Sequence, residues 1–125
     1  MARWNAGAAY LGLQGLGSLS WWGLLFAQPS ARRAFLPAEL PDLALTAFLL
    51  PDMILYAGAS LASAWGLAVR APWWRTTLLL HLGAAGYATF YSVAIFVATG
   101  EAVLSVVLML PAFLLSAFVL ARCGR

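Results

Sequence analysis

The segment LALTAFLLPDMILYAGASLASAWGLAV, residues 43–69, decides the fold. It contains one charged side chain, Asp52, in a run longer than the about 20 apolar residues that a helix needs to cross the ~30 Å core of a bilayer. Pro51 stands directly before the acid. Because proline has no N–H to donate to the carbonyl of Ala47, it indicates a kink at this point. The segment therefore predicts a membrane-spanning helix with a polar interruption inside it.

The rest of the chain repeats the apolar pattern. Hydrophobic residues make up 64% of the sequence and charged residues 9%, whereas soluble domains average about 25% charged residues. We expect an all-α membrane protein with a single domain, residues 1–125, and four spans at about 6–28, 42–69, 76–98 and 101–121. Because short connections make sequential helices antiparallel neighbours, we predict an up-down four-helix transmembrane bundle.

The arginines predict the orientation in the lipid bilayer. All seven basic residues are arginine, and they divide five to two between the two sides: Arg3, Arg70, Arg75, Arg122 and Arg125 against Arg32 and Arg33. Short loops with an excess of arginine stay in the cytoplasm. We therefore expect both termini to be cytoplasmic, in a multi-pass protein of the bacterial inner (cell) membrane.

Tryptophans and acids are expected at the ends of the spans. Tryptophan favours the interface because its ring is mostly apolar while its N–H needs a polar partner. This predicts an interfacial belt formed by Trp4, Trp65, Trp73 and Trp74 on the cytoplasmic side and by Trp21 and Trp22 on the outer side. We expect Asp42 to cap the start of span two and Glu101 to cap the start of span four.

Helical spacing places the polar side chains of each span on one face. These faces should turn toward the interior of the bundle, because lipid cannot satisfy hydroxyl, amide or carboxyl groups. The stripes are Tyr10, Gln14, Ser18 and Trp21 in span one; Asp52, Tyr56, Ser60 and Ser63 in span two; and Glu101, Ser105, Ala112 and Ser116 in span four. We expect Gln14 to form an interhelical hydrogen bond.

Counting 1.5 Å per residue from the predicted span ends gives a depth for each polar group. Asp52 and Ser18 fall roughly 15 Å below the outer face, Tyr87 roughly 16 Å and Tyr91 roughly 10 Å. His81 lies roughly 8 Å from the inner face, where we expect a hydrogen-bonded histidine. The depths therefore predict that Asp52 contacts Tyr87 or Tyr91 and not His81.

Two interpretations of Asp52 remain open. A charge at bilayer depth is unfavourable by about 2.5–3.5 kcal/mol on insertion scales, so it is rare without a partner or a role. Asp52 is either a structural acid, protonated or hydrogen-bonded, that fixes helix packing, or a group that binds a ligand or a proton. In the second case the cavity would open outward, with kinks at Pro51 and Pro111.

Several kinds of chemistry lack the residues they need. One histidine, His81, and one cysteine, Cys123, provide neither a haem nor a metal site, so no cofactor and no metal are expected. A serine, a histidine and an acid do not share a predicted depth, which makes an enzyme the least favoured class. No clustered basic face predicts nucleic-acid binding. A small multidrug exporter is also disfavoured, because the key glutamate of those proteins lies in the first span, where this chain has Gln14.

The stretch Phe48-Leu49-Leu50-Pro51-Asp52-Met53-Ile54-Leu55, followed by Ala59-Ser60-Leu61-Ala62, resembles the Pro-Asp signature of small bacterial four-span proteins of the YvaD-like type, which have no assigned function. More distantly, the layout is similar to EXPERA-type proteins, which include sterol isomerases. That resemblance implies a lipid ligand facing acidic side chains inside the bundle, with Asp52 and Glu101 as counterparts by position, although the characteristic motifs of that group are not matched.

These observations favour the binding of a small apolar or amphipathic molecule in an intramembrane cavity centred on Asp52. The predicted ligand-binding residues are Asp52, Tyr56, Tyr87, Tyr91, Ser18 and Gln14. Two alternatives stay open. One is an accessory or assembly subunit that packs against a membrane-protein partner, and the other is a small proton-coupled transporter, which at this size would be a homodimer.

Overall fold

Four long helical segments follow one another along the chain: α1 at Ala2–Ala27, α2 at Leu43–Ala68, α3 at Trp74–Thr99 and α4 at Val103–Cys123. The computed structural model describes the backbone of residues 2–124 and the side chains of residues 4–124, and no strand occurs in that part of the chain. The all-helical prediction is confirmed. Its largest error in position is the start of α1, which was predicted at residue 6 and lies at residue 2.

Three of these segments, α2, α3 and α4, are long and apolar enough to cross a membrane. By length and composition the chain is therefore a multi-pass helical membrane protein. The described part of α1 has 26 residues and is long enough, but its mean hydropathy is too low for it to be counted with these three. Its sequence includes polar residues such as Gln14 and Ser18, so the fourth span stays a prediction.

The second segment is irregular where the sequence predicts a kink. It contains short helical pieces at Leu43–Thr46 and Leu49–Pro51, then a π-helix at Asp52–Gly58, and then a regular helix at Ala59–Ala68. A Cβ atom at Gly58 would lie 2.8 Å from the carbonyl oxygen of Met53, which favours glycine at the end of the π-helix, whose turns are wider than those of an α-helix. Pro111, by contrast, lies inside α4 and does not end it.

An apolar core fills the end of the molecule that contains both termini, here called the terminal end. It consists of Leu11, Leu67, Trp74, Leu78, Val119 and Cys123. The ring of Trp4 meets that of Trp74 edge-on, with centroids 5.6 Å apart. Trp74 lies at the first residue of α3 and is buried against this core, and its predicted place in the interfacial belt stays a prediction. At the other end of α3, Gly100 adopts a left-handed conformation and ends the helix.

The opposite end, here called the loop end, is tied together by the connection between α1 and α2. Arg32 forms an ion pair with Asp42 at 2.8 Å, and the backbone N–H of Ala38 donates to Glu101 Oε2 at 2.8 Å. Glu101 therefore holds this connection and does not cap α4, which begins at Val103 without a side-chain cap. Asp42 precedes α2 as predicted, but its carboxylate pairs with Arg32 and caps no backbone N–H.

Two of the seven arginines used to predict the orientation, Arg3 and Arg125, lie outside the described side chains. Among the described arginines, Arg70, Arg75 and Arg122 lie near the ends of α2, α3 and α4 at the terminal end, where Arg75 donates a hydrogen bond to the backbone oxygen of Gly124. The cytoplasmic position of the termini stays a prediction.

Candidate ligand-binding cavity

A cavity of about 440 Å³ lies toward the loop end and is lined by residues of all four helical segments. The connection between α1 and α2 forms its roof through Phe35, Leu36, Pro37 and Leu40. Leu36 and Pro37 are buried, so the roof is packed onto the helices. The hydroxyl of Ser105 on α4 donates to the backbone oxygen of Phe35 at 3.2 Å and fixes the roof from the opposite side. The cavity is therefore covered by an anchored segment of the chain.

Most of the cavity lining is apolar, and Asp52 is its one charged side chain. Trp22 on α1 donates a hydrogen bond from Nε1 to Asp52 Oδ2 at 3.0 Å. Among the described residues, Oδ1 of the same carboxylate has no hydrogen-bond partner. The half-buried carboxylate is thus held by one donor and keeps one oxygen for a further partner.

Five of the six predicted ligand-binding residues line this cavity: Gln14, Ser18, Asp52, Tyr56 and Tyr91. The sixth, Tyr87, lines a separate surface groove between α2 and α3, to which Asp52 also contributes. Tyr87 is 65% exposed. Its ring stacks on that of Tyr91, with centroids 6.4 Å apart. The structure brings the six residues to one region of the molecule.

The expected contact between Asp52 and a tyrosine is wrong for the described structure, because the donor to its carboxylate is Trp22. Trp22 was assigned to the outer interface, yet it is 2% exposed. The sequence contained one signal for this role, since Trp22 follows Ser18 by four residues and shares its helix face. The predicted interfacial position of Trp22 put it nearer the outer face than Asp52, so depth did not indicate this pair.

Beneath the cavity, one polar side chain from each helical segment joins a single hydrogen-bonded cluster, here called the four-helix cluster. Its members are Gln14, Tyr56, His81 and Ser116. Gln14 Nε2 donates to the Tyr56 hydroxyl at 2.9 Å, which confirms the predicted interhelical role of Gln14. His81 and Ser116 are completely buried. The rings of Tyr56 and His81 meet edge-on, with centroids 4.8 Å apart.

The partners of His81 assign its tautomer. Nδ1 lies 3.0 Å from the backbone oxygen of Tyr56, so Nδ1 donates and Nε2 accepts. Nε2 lies 3.1 Å from Gln14 Nε2, which supplies its second amide hydrogen. Ser116 then donates to Gln14 Oε1 at 3.1 Å. His81 is therefore hydrogen-bonded as predicted and buried among the four helices, while its depth below the inner face stays a prediction.

Few side chains at the cavity can exchange a proton. The titratable side chains that line the cavity are Asp52, Tyr56 and Tyr91. No group of three histidine, cysteine, aspartate or glutamate side chains that could hold a metal ion occurs in the described part of the chain. Comparisons with protein families, with characterised proteins and with solved structures gave no match to this chain.

Proposed function

We propose that this protein is a four-span, up-down bundle that binds a small amphipathic molecule in the loop-end cavity, with Asp52 as the polar anchor. The observation that carries the proposal is the cavity itself, an apolar space of about 440 Å³ with a single carboxylate. Pockets for small ligands typically have volumes of about 300–1,000 Å³ and combine an apolar lining with a few polar groups. An apolar tail would fill the space while a polar head meets Asp52 Oδ1.

The exposed face of α1 supports a fourth span. Leu13, Leu16 and Phe26 are each more than half exposed, and Leu13 reaches 72%. At the same time Gln14 joins the four-helix cluster and Ser18 lines the cavity. Apolar side chains outside and polar side chains inside are what a helix needs in lipid. The low overall hydropathy of α1 then follows from its polar inner face.

The arginines support an outward-facing cavity. Arg70, Arg75 and Arg122 lie near the terminal end, and Arg32 and Arg33 lie at the loop end. The positive-inside rule places the larger group in the cytoplasm. The cavity would then lie in the outer half of the cell membrane. The likeness of the Pro51-Asp52 segment to YvaD-like proteins stays a prediction.

Proton-coupled transport is supported less well. The four-helix cluster extends from the cavity floor toward the centre, but Leu11, Leu67 and Leu78 fill the terminal end and are completely buried. A proton path to the cytoplasmic side needs a continuous series of polar groups or water. The hydroxyls of Ser63 and Thr77 at this end bond to each other at 2.9 Å and to backbone oxygens of their own helices, and none of these bonds leads to the four-helix cluster. This packing of the terminal end suits a binding protein better than a proton pathway across the membrane.

Two glycines provide a matched test. A Cβ atom at Gly17, which lines the cavity, or at Gly23, which does not, would meet no atom within 4 Å. Gly17→Leu should fill part of the cavity and abolish the thermal stabilisation that decylamine gives the wild-type protein in lipid nanodiscs. Gly23→Leu should leave it unchanged. The proposal is wrong if decylamine fails to stabilise the wild-type protein, or if it stabilises the Gly17→Leu variant equally.

A further inference from the structure

A second hollow lies on the lipid-facing side of α2 and α3. This groove has a volume of about 410 Å³ and is lined by Ala47, Phe48, Pro51, Asp52, Leu55, Gly83, Ala84, Tyr87 and Ala88. The small residues of α3 on this surface leave space between the two helices. Leu50 and Ile54, which precede the lining residues Pro51 and Leu55 in α2, are exposed and apolar. The groove is therefore a depression in the surface that faces lipid.

The groove and the cavity have a common wall. Phe48, Asp52 and Ala88 line both of them. A residue that lines two hollows separates them, so this wall is one side chain thick. The ring of Phe48 lies against that of Tyr91, with centroids 5.3 Å apart. This aromatic pair stands between the bilayer and the cavity.

The helical hydrogen-bonding pattern of α2 changes at this wall. Residues 47–48 form a turn between the helical pieces Leu43–Thr46 and Leu49–Pro51, and the π-helix begins at Asp52. The backbone N–H of Phe48 bonds to the oxygen of Leu45, three residues back, at 3.0 Å. Interruptions of this kind are frequent at functional sites and hinges. Phe48 thus lies on a tightened helical turn, where the hydrogen-bond spacing along α2 changes.

We propose that the α2–α3 groove is a lateral entry site, through which a single-chain amphiphile dissolved in the bilayer reaches the cavity when Phe48 turns aside. This inference rests on the proposed function of the cavity. The chain of the amphiphile occupies the groove, next to Leu55 and Tyr87, while its head group meets Asp52. Asp52 is accessible from both hollows, so the head group keeps its polar partner during the passage.

The roof makes the alternative route longer. Entry through the loop end meets the segment around Leu36 and Pro37, whose side chains are buried. Displacing that segment would break the bonds from Ala38 to Glu101 and from Ser105 to Phe35. Entry from lipid passes the wall at Phe48 and leaves both of these bonds intact. An apolar chain already resides in the lipid phase, so this route does not expose it to water.

The test measures rates in lipid nanodiscs. The probe is 10-bromodecylamine, whose bromine quenches the fluorescence of tryptophans such as Trp21 on the cavity wall. A Cβ atom at Gly83 would meet no atom within 4 Å, so Gly83→Leu fills the groove without a clash. Stopped-flow mixing should show that Gly83→Leu slows both association and dissociation by about an order of magnitude, with the equilibrium affinity within about twofold of the wild type.

Two further variants complete the experiment. Phe48→Ala thins the wall and should accelerate both rates, while Gly23→Leu on α1 should leave them unchanged. If neither Gly83→Leu nor Phe48→Ala changes the rates, lateral entry is wrong even though saturable quenching shows that the cavity binds the probe. If the probe causes no saturable quenching of the wild type, or if it quenches the Gly17→Leu variant equally, the binding function itself is wrong and the entry route with it.

Discussion

Trp22 Nε1 lies 3.0 Å from Asp52 Oδ2 and donates a hydrogen bond that joins α1 to the first residue of the π-helix. The indole is buried and the carboxylate half-buried. Hydrogen bonds to charged groups contribute about 1.5–3 kcal/mol, roughly twice the value for neutral pairs. The contact fixes the orientation of the carboxylate, and we expect it to be among the stronger single interactions between α1 and α2.

Trp22→Phe should lower the free energy of unfolding by about 1–3 kcal/mol, because it removes the donor and leaves a carboxylate oxygen without its partner. In an Asp52→Leu background the same change should have a much smaller effect. Unfolding in mixed micelles, followed by circular dichroism, measures both values and gives the coupling energy. Trp65→Phe, on the exposed surface, is the control. Equal effects of Trp22→Phe in the two backgrounds would contradict the contact.

The four-helix cluster should behave as a unit. Gln14→Leu removes a donor to Tyr56 and to His81 and leaves Ser116 without its acceptor, so we expect a loss of about 1–3 kcal/mol. His81→Leu should lose a similar amount. The double variant should lose less than the sum of the two, with a coupling of about 0.5–3 kcal/mol, because each single change already breaks shared bonds. The same micelle unfolding measures this.

The control for this cycle is Ser20→Ala, since Ser20 bonds only to the backbone of its own helix at Leu16 among the described residues. It should change the free energy of unfolding by less than about 0.5 kcal/mol. Strictly additive losses for Gln14 and His81 would show that the two side chains do not share the cluster.

The sequence predicted the helices and most residues of the site because both depend on local patterns. Apolar runs locate the segments, and steps of three and four residues brought Gln14, Ser18, Asp52 and Tyr56 to the interior. What the sequence did not predict depends on the relative positions of different segments. The partner of Asp52 is an example. A depth counted at 1.5 Å per residue holds for a regular helix, whereas α2 contains a tightened turn and a π-helix.

Glu101 shows the same limit at the loop end. Its position just before an apolar run is typical of a helix cap, which is a local interpretation. In the structure its carboxylate accepts a hydrogen bond from Ala38, sixty-three residues away in the chain. Only the position of the first connection above the cavity creates this contact. Local patterns contain no information about such a pairing.

The charge of Asp52 should select the head group of the ligand. We expect decylamine to bind the wild-type protein about tenfold more tightly than decanol, a difference of ~1.4 kcal/mol, because the carboxylate attracts a cation in an apolar space. Asp52→Asn keeps the size of the side chain and should abolish this preference while decanol binds as before. Titration calorimetry in nanodiscs measures both ligands. Equal affinities of the wild type for the amine and the alcohol would exclude the counter-charge role.

The roof of the cavity should loosen without its anchor. Glu101→Ala removes the acceptor for the backbone N–H of Ala38, so hydrogen exchange of that amide should accelerate by about tenfold, as expected for a bond of about 1–1.5 kcal/mol. Hydrogen–deuterium exchange with mass spectrometry resolves the peptide around residues 36–40. Glu39→Ala is the matched control, since it removes an exposed acid from the same connection. Identical exchange in both variants would contradict the anchor.

Gly58 should distinguish a π-helix from an ordinary helix in α2. In a regular helix an exchange of glycine for alanine stabilises by about 0.8–1 kcal/mol. At Gly58 the new Cβ would lie 2.8 Å from the oxygen of Met53, so we expect Gly58→Ala to destabilise by about 1–3 kcal/mol, as overpacked sites do. Gly23→Ala, with open space around its Cβ, should show the ordinary gain.

The two signs are opposite, which makes the comparison independent of the absolute scale of the unfolding measurement. A Gly58→Ala chain that relieves the clash by adopting regular helical turns would rotate Asp52 relative to residues 59–68, since the π-helix begins at Asp52 and ends at Gly58. That rotation would move the carboxylate away from Trp22 and reduce decylamine binding. A stabilised Gly58→Ala variant with unchanged binding would therefore show that the wide turn is not needed to place Asp52 in the cavity.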